Sequence, residues 1–392
     1  MITVNQAKEL IAAAIQPLAP VRINLDEAAG HILAADIFAA VDIPGFRQSS
    51  MDGYAFRFDA GLSSYNLTGE MAAGTTEVLE IKAGEATRIF TGAPLPGGAD
   101  TVVMQEKITK ENNNIIVNDP MLSLGSNVRE KGSEIKADAL AMAKGSLLSP
   151  AAIGFLAGIG TTKVAVYPMP KVAVILIGNE LQQPGKALAF GQVYEANSFA
   201  LSAALKNEGI NDIKLFWVND DLDLLMQSVN EALENSDVVL LTGGVSVGDY
   251  DFVTRAADAC GIEQIFHKVK QRPGKPLFFG TKNKQLVFGL PGNPSSVLSC
   301  FYNYALPALK GLSCKQDSIT TIQAELSTDY KKTAGLTHFL KGIYADGKAS
   351  PLNAQESFRL SSFAHANCLI CLDETEEFYK AGTTVTIMLL PQ

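Results

Sequence analysis

The chain has 392 residues, a formal net charge of −9, 47% hydrophobic residues and only 19% charged ones. That length exceeds one ordinary core and predicts roughly two to four well-buried domains. An acidic chain with no basic face and no RNA-binding aromatic motif excludes general nucleic-acid binding. No apolar run nears the ~20 residues of a membrane span, and MITVNQAKEL lacks a signal-peptide pattern, so no membrane association is expected. Five scattered cysteines fit a reducing, cytoplasmic setting.

Residues 3–18 open with Thr3-x-x-Gln6, a capping box followed by apolar residues at helical spacing. Asp26 is placed to cap a second helix over 27–35. IPGFRQSSMDGYAF at 43–56 breaks the pattern, and short β-like runs separated by AGTT, TGAPLPGGAD and ENNN fill 62–117. Ser149-Pro150 then starts another helix. These features predict a helical scaffold domain (1–44 plus 138–170) with a β-rich module (45–137) inserted into it. Strands and helices alternate from Lys171, as in a parallel sheet covered on both faces, giving an α/β domain over 171–312. Residues 313–392 read as a C-terminal β domain, with a turn at Asp346-Gly347. Cys368 and Cys371 form a CxxC on a strand, where residues three apart face opposite ways, so they are expected in the core.

The chemistry gathers between residues 237 and 296. The buried-type strand 238–242 stops at Gly243-Gly244, and the run 286–290 ends in Pro291-Gly292-Asn293-Pro294-Ser295. Asn293 is a plausible N-cap with Pro294 at the first helical position. Two strand-to-helix turns present backbone N–H groups at the carboxyl edge of one sheet, where anionic ligands bind. Between them Lys268, Lys270, Arg272 and Lys275 form a basic loop without an acid, expected to face something negative. Strand ends also deliver Glu180, Asp220 and Asp251, which suit Mg²⁺ bridging to phosphate oxygens. Taken singly, each acid is explained as a helix or turn cap.

MDGYA, TGAPLPGGADTVVMQE, GNEL, TGGVSVGDYD, RPGKP and GLPGNPSS, in this order, resemble the molybdopterin molybdenumtransferase (MoeA) family, which includes the E domain of gephyrin. The resemblance covers essentially the whole chain. It implies an α/β multidomain protein: a helical domain with an inserted β module, a doubly wound MoaB/MogA-like α/β domain with a parallel sheet, and a C-terminal β-barrel-like domain. It further implies insertion of molybdate into adenylylated molybdopterin with Mg²⁺-dependent release of AMP. A molybdopterin adenylyltransferase would deliver the substrate, and an elongated homodimer would share each site between chains. In that picture Asp52, Thr91, Glu134, Asn179, Glu180, Asp220 and Asp251 are catalytic, the last three acids being the metal ligands. Gly243, Gly244, Ser246, Pro291, Gly292, Asn293 and Ser296 bind substrate, and Lys268, Arg272 and Lys275 meet molybdate.

The chain departs from the family pattern at several points. The aspartate-asparagine-serine before MDG is Arg47-Gln48-Ser49, and GED is Gly132-Ser133-Glu134. TGDE is Ile177-Gly178-Asn179-Glu180, KPGKP is RPGKP, and QGS is Gln355-Glu356-Ser357. A second reading is therefore a weakened paralogue that binds the pterin as carrier or scaffold. A nucleotide pyrophosphatase sharing only the α/β domain is a third, opposed by MDGYA and both β modules.

Overall fold

The computed structural model describes residues 1–77, 79–245, 252–315 and 320–391. It forms two compact units, Met1–Arg22, Gly30–Ile32 and Ala165–Gln392 in one, Ile23–Ala29 and Leu33–Val164 in the other.

The first unit is built on a six-stranded sheet in the order Ile213–Val218, Val172–Ile177, Val238–Thr242, Gln285–Leu290, Phe278–Lys282, Glu263–His267. The first four strands are parallel, and the last two join antiparallel. Every side chain of Val172–Ile177 is buried. Val172, Val174 and Leu176 enter one apolar cluster while Ala173, Ile175 and Ile177 enter another. A strand apolar at every position thus feeds two cores, because its side chains alternate between faces. Leu201 and Leu205 of Asn197–Asn207 cover one face, and Leu225, Val229 and Leu233 of Leu222–Asn235 cover the other. This is the doubly wound α/β layer.

The N-terminal helix Val4–Ala14 carries the expected capping box: Thr3 Oγ1 accepts from Gln6 N at 3.2 Å, and Gln6 Oε1 accepts from Thr3 N at 3.0 Å. Its buried Val4, Ala7 and Ile11 pack into the α/β core. Five strands, Thr321–Leu326, Thr337–Ala345, Lys348–Pro351, Cys368–Leu372 and Thr384–Leu389, close into a C-terminal barrel. Asp346 and Gly347 both take positive φ (50° and 79°), as a two-residue hairpin turn requires. Cys368 is fully buried and Cys371 half-buried; burial pushes the Cys368 thiol up to about 11.

In the second unit a six-stranded sheet runs Thr101–Met104, Gly53–Phe56, Glu85–Ile89, Ser64–Met71, Asn114–Val117, Ile108–Glu111. Its core holds Phe56, Tyr65, Ile89, Val102 and Ile115. Ser149 caps the helix Pro150–Gly158 as expected. The helix expected over 27–35 is not formed. Leu25–Glu27 makes one 3₁₀ turn, Gly30 takes φ +77°, and short strands follow at Ile32–Leu33 and Ile37–Phe38. Strand pairing of Ile37–Phe38 with Leu140–Met142 outweighs the local helix propensity.

Candidate functional site

Four neighbouring parallel strands end together, at Ile177, Val218, Thr242 and Leu290. Beyond them lies a cavity of about 640 Å³, lined by Glu180, Glu195, Asp220, Gly243, Gly244, Pro291, Gly292 and Asn293 among others. This is the place where open α/β sheets bind ligands. Gly243 has φ +83°, and a Cβ there would stand 2.4 Å from the Ile177 carbonyl oxygen. Only glycine lets the turn press against the adjacent strand end.

The second turn is clamped from both sides. Asn197 Nδ2 donates to the Gly292 carbonyl at 2.9 Å, and Asn293 Nδ2 donates to Ser357 Oγ at 2.9 Å. Asn293 stands at the N-cap position, but its side chain makes no capping bond; it reaches Ser357 instead, whose carbonyl accepts from Ser295 N. Ser296 is buried behind the turn in the helix Pro294–Cys300 rather than lining the cavity. Ser246 and Asp251 lie outside the described residues.

Asn179 and Asp220 pair across adjacent strand ends. Asn179 N donates to Asp220 Oδ2 at 3.4 Å, and Asp220 N donates to Asn179 Oδ1 at 3.2 Å. Glu180 folds its carboxylate back over Gly178, within 3 Å of where a Cβ at that glycine would stand. Glu195 is buried and accepts from Ser198 N (2.7 Å) and Ser198 Oγ (2.5 Å), so it anchors the helix Asn197–Asn207. Among the described residues no three His, Cys, Asp or Glu side chains gather as a metal-ion cage. Glu180 and Asp220 are nevertheless two hard oxygen donors in a cavity that, among the described residues, is lined by no Lys or Arg. An anionic ligand there needs a cation to offset them, and Mg²⁺ commonly takes one or two carboxylates plus phosphate oxygens. The donor set fits it.

The basic loop does not face this cavity as expected; of its neighbourhood only Pro276 lines it. The strand Gln271–Arg272 pairs in parallel with Thr337–His338 of the barrel, which turns Arg272 toward a second, smaller cavity. Gln271 is buried; its Nε2 donates to the Gly274 carbonyl, and its Oε1 accepts from the Tyr304 hydroxyl. Lys268 takes φ +86° and Lys275 is exposed, its carbonyl accepting from Val269 N at 3.0 Å.

In the second unit Asp52 and Thr91 do meet. Asp52 Oδ1 accepts from Thr91 N at 2.7 Å and Thr91 Oγ1 at 2.8 Å. The Thr91 amide, then its hydroxyl, hold the Asp52 carboxyl below the usual range, with Arg88 adding to them. Gly53 lets two strands close up, since a Cβ there would overlap the Val103 carbonyl oxygen at 1.8 Å. Glu134 is exposed on a turn whose backbone N–H donates to the Ile43 carbonyl at 2.9 Å. Arg47 pairs with exposed Glu130 at 3.1 Å.

Sequence reasoning missed Arg88, which donates to the Gly53 carbonyl and stacks over Tyr54 and Phe90. It also missed Glu195, whose only sequence signal is an acid two residues before a helix-opening asparagine. Phe358, on the cavity wall, left no signal at all.

Three family models match the chain: the MoeA N-terminal region (domain I and II) over residues 2–160, the "Probable molybdopterin binding domain" over 173–311, and the MoeA C-terminal region (domain IV) over 323–390. A molybdopterin molybdenumtransferase of Staphylococcus aureus is 33% identical, covering 99% of this chain and 95% of that protein. One from Haemophilus influenzae is 32% identical over 99% of this chain and 98% of its own length. The crystal structure of a molybdopterin biosynthesis MoeA protein from Pyrococcus horikosii superposes with a TM-score of 0.82 at 29% identity, covering 99% of both chains.

Proposed function

We propose that this chain, which belongs to the molybdopterin molybdenumtransferase (MoeA) family, inserts molybdate into adenylylated molybdopterin and releases AMP. It is a transferase of molybdenum cofactor biosynthesis, and the carrier reading is not favoured. The observation that carries the finer reading is the cavity at the parallel strand ends, where glycine turns stand beside carboxylates. The turns at Gly243-Gly244 and Pro291-Gly292 present backbone to a phosphate, and Asn293 and Ser357 keep the second turn in shape. Glu180 and Asp220, with Asp251, would hold Mg²⁺, which neutralises phosphate charge when bound. Lys268, Arg272 and Lys275 are assigned to the incoming molybdate. Asp52 and Thr91 orient one another, and with Glu134 they complete the site from a second copy of the chain. Substrate arrives from a molybdopterin adenylyltransferase.

The test is single-turnover conversion of adenylylated molybdopterin with molybdate and Mg²⁺. AMP release is expected; tight binding without AMP release overturns the transferase reading in favour of a carrier. Sedimentation is expected to give twice the 41.8 kDa chain mass, and a monomer at micromolar concentration removes the shared site.

Asn179 supplies a smaller effect. Its amide carries no charge, although its Oδ1 already accepts from Asp220 N. Aspartate at 179 keeps that acceptor and adds a negative charge beside Asp220. Asn179→Asp is expected to raise AMP release at subsaturating Mg²⁺ about threefold to tenfold. Unchanged or slower release would mean the site is built around the amide.

A further inference from the structure

The second cavity, of about 280 Å³, lies where Gln271–Arg272 runs alongside the start of Thr337–Ala345. Arg272 is the register partner of His338, so the two side chains share a face. Tyr330, Lys331, Lys332 and Thr333 also line the cavity, and among the described residues no Asp or Glu does. Lys332 is only 6% exposed. Its Nζ donates to the carbonyls of Leu336 (3.1 Å) and Thr333 (3.5 Å), leaving one of three ammonium hydrogens over. His338 is 4% exposed, and its Nε2 has no hydrogen-bond partner among the described residues. A buried ring nitrogen without a partner is uncommon and points to a ligand. Burial, then Lys332 and Arg272, push the His338 pKa down from 6.5 to about 4, so its ring is neutral at pH 7.

We propose that this pocket binds one tetrahedral oxyanion between Arg272, Lys332 and Tyr330, and that His338 takes up a proton as the anion binds. The anion offsets the two cations that add to burial in keeping the ring neutral, and the new Nε2–H donates to an anion oxygen. Four acids face Lys332 from outside the pocket lining: Asp373, Glu377, Glu374 and Glu376 all raise its pKa against the burial that lowers it. Tyr330 is raised by burial, and Asp373, following the barrel partner Leu372, is held ionised by Thr375. Lys341 lies farther along the same strand, bonded to backbone carbonyls. Binding is therefore tightest at low pH and weakens as pH rises above about 4, until the bound-state pKa is passed. The inference deepens the molybdate assignment above, since molybdate is the tetrahedral dianion of that reaction.

The experiment is titration calorimetry of the whole protein with tungstate and with molybdate from pH 6 to 8, in two buffers of different ionisation enthalpy. With four histidines in the chain, ring ¹³C-labelled histidine NMR follows His338 in parallel. Expected are a Kd that rises with pH by up to about tenfold per unit, uptake of up to one proton, and one imidazole signal moving toward its charged position. His338→Gln is expected to bind roughly tenfold more weakly at pH 6 and to lose the pH dependence. Displacement of tungstate by AMP identifies a phosphoryl group as the occupant, and its failure identifies free molybdate; either upholds an oxyanion pocket. A pH-independent Kd without proton uptake, or unmoved imidazole signals at saturation, overturns the proposal without help from any variant. Absent AMP release from a protein that does bind the oxyanion sinks the transferase reading alone.

Discussion

Replacing Gly243 with alanine is expected to weaken binding of adenylylated molybdopterin at least about 100-fold and to cost roughly 2–4 kcal/mol of stability. Two penalties act at once. The backbone sits at φ +83°, and the new Cβ would stand 2.4 Å from the Ile177 carbonyl oxygen. That oxygen belongs to a strand end packed on both faces, so it has little room to retreat. The turn must move instead, carrying Gly244 and the backbone N–H groups out of line with the cavity. Gly292→Ala is the comparison, because its Cβ would meet Gly243 Cα at an ordinary 3.6 Å. Its melting temperature is expected to stay within about 1 °C of wild type, against a loss of about 5–15 °C for Gly243→Ala. Equal melting temperatures for Gly243→Ala and wild type would show that the turn relaxes freely.

The contrast between these glycines shows where the sequence was readable. The strand 238–242 could be seen because a run apolar at every position up to Leu241 has few destinations other than a sheet buried on both faces. Gly243 could be seen because strand-to-helix turns need its backbone freedom. The stretch 27–35 misled, since Ala and Glu favour a helix locally while Ile37–Phe38 finds its partner about a hundred residues later. The basic loop was legible as charge but not as direction. Arg272 turns to the small cavity because its strand pairs with His338, a contact between two barrel-side segments with no local signature. Glu195 and Phe358 escaped for the same reason: an acid before a helix and an aromatic in a loop become cavity walls only through tertiary packing.

Lys341→Met is expected to lower stability by about 3–5 kcal/mol, a fall of roughly 10 °C in Tm, and to weaken substrate binding about tenfold. Lys341 is 2% exposed, in the middle of a barrel strand, and burial lowers its pKa. Its Nζ spends its three hydrogens on the carbonyls of Ala354 (2.8 Å), Arg359 (3.0 Å) and Glu356 (3.3 Å). Its backbone N–H donates to Gln355 Oε1 at 3.0 Å, and its carbonyl accepts from Gln355 Nε2 at 2.8 Å. The loop 354–359 is thus wound around one ammonium, which also supports the positive φ of 61° at Ala354. The same loop puts Ser357 on Asn293 and Ser295, and Phe358 on the cavity wall. Methionine matches the side chain as far as Cε and leaves three carbonyls without donors, so the loop loosens and the PGNPS turn loses a clamp. The stability loss is read by thermal melting, and the loosening by faster hydrogen exchange over 354–359. A variant that melts within about 2 °C of wild type and binds substrate normally would show that the loop holds itself, with Lys341 a passenger.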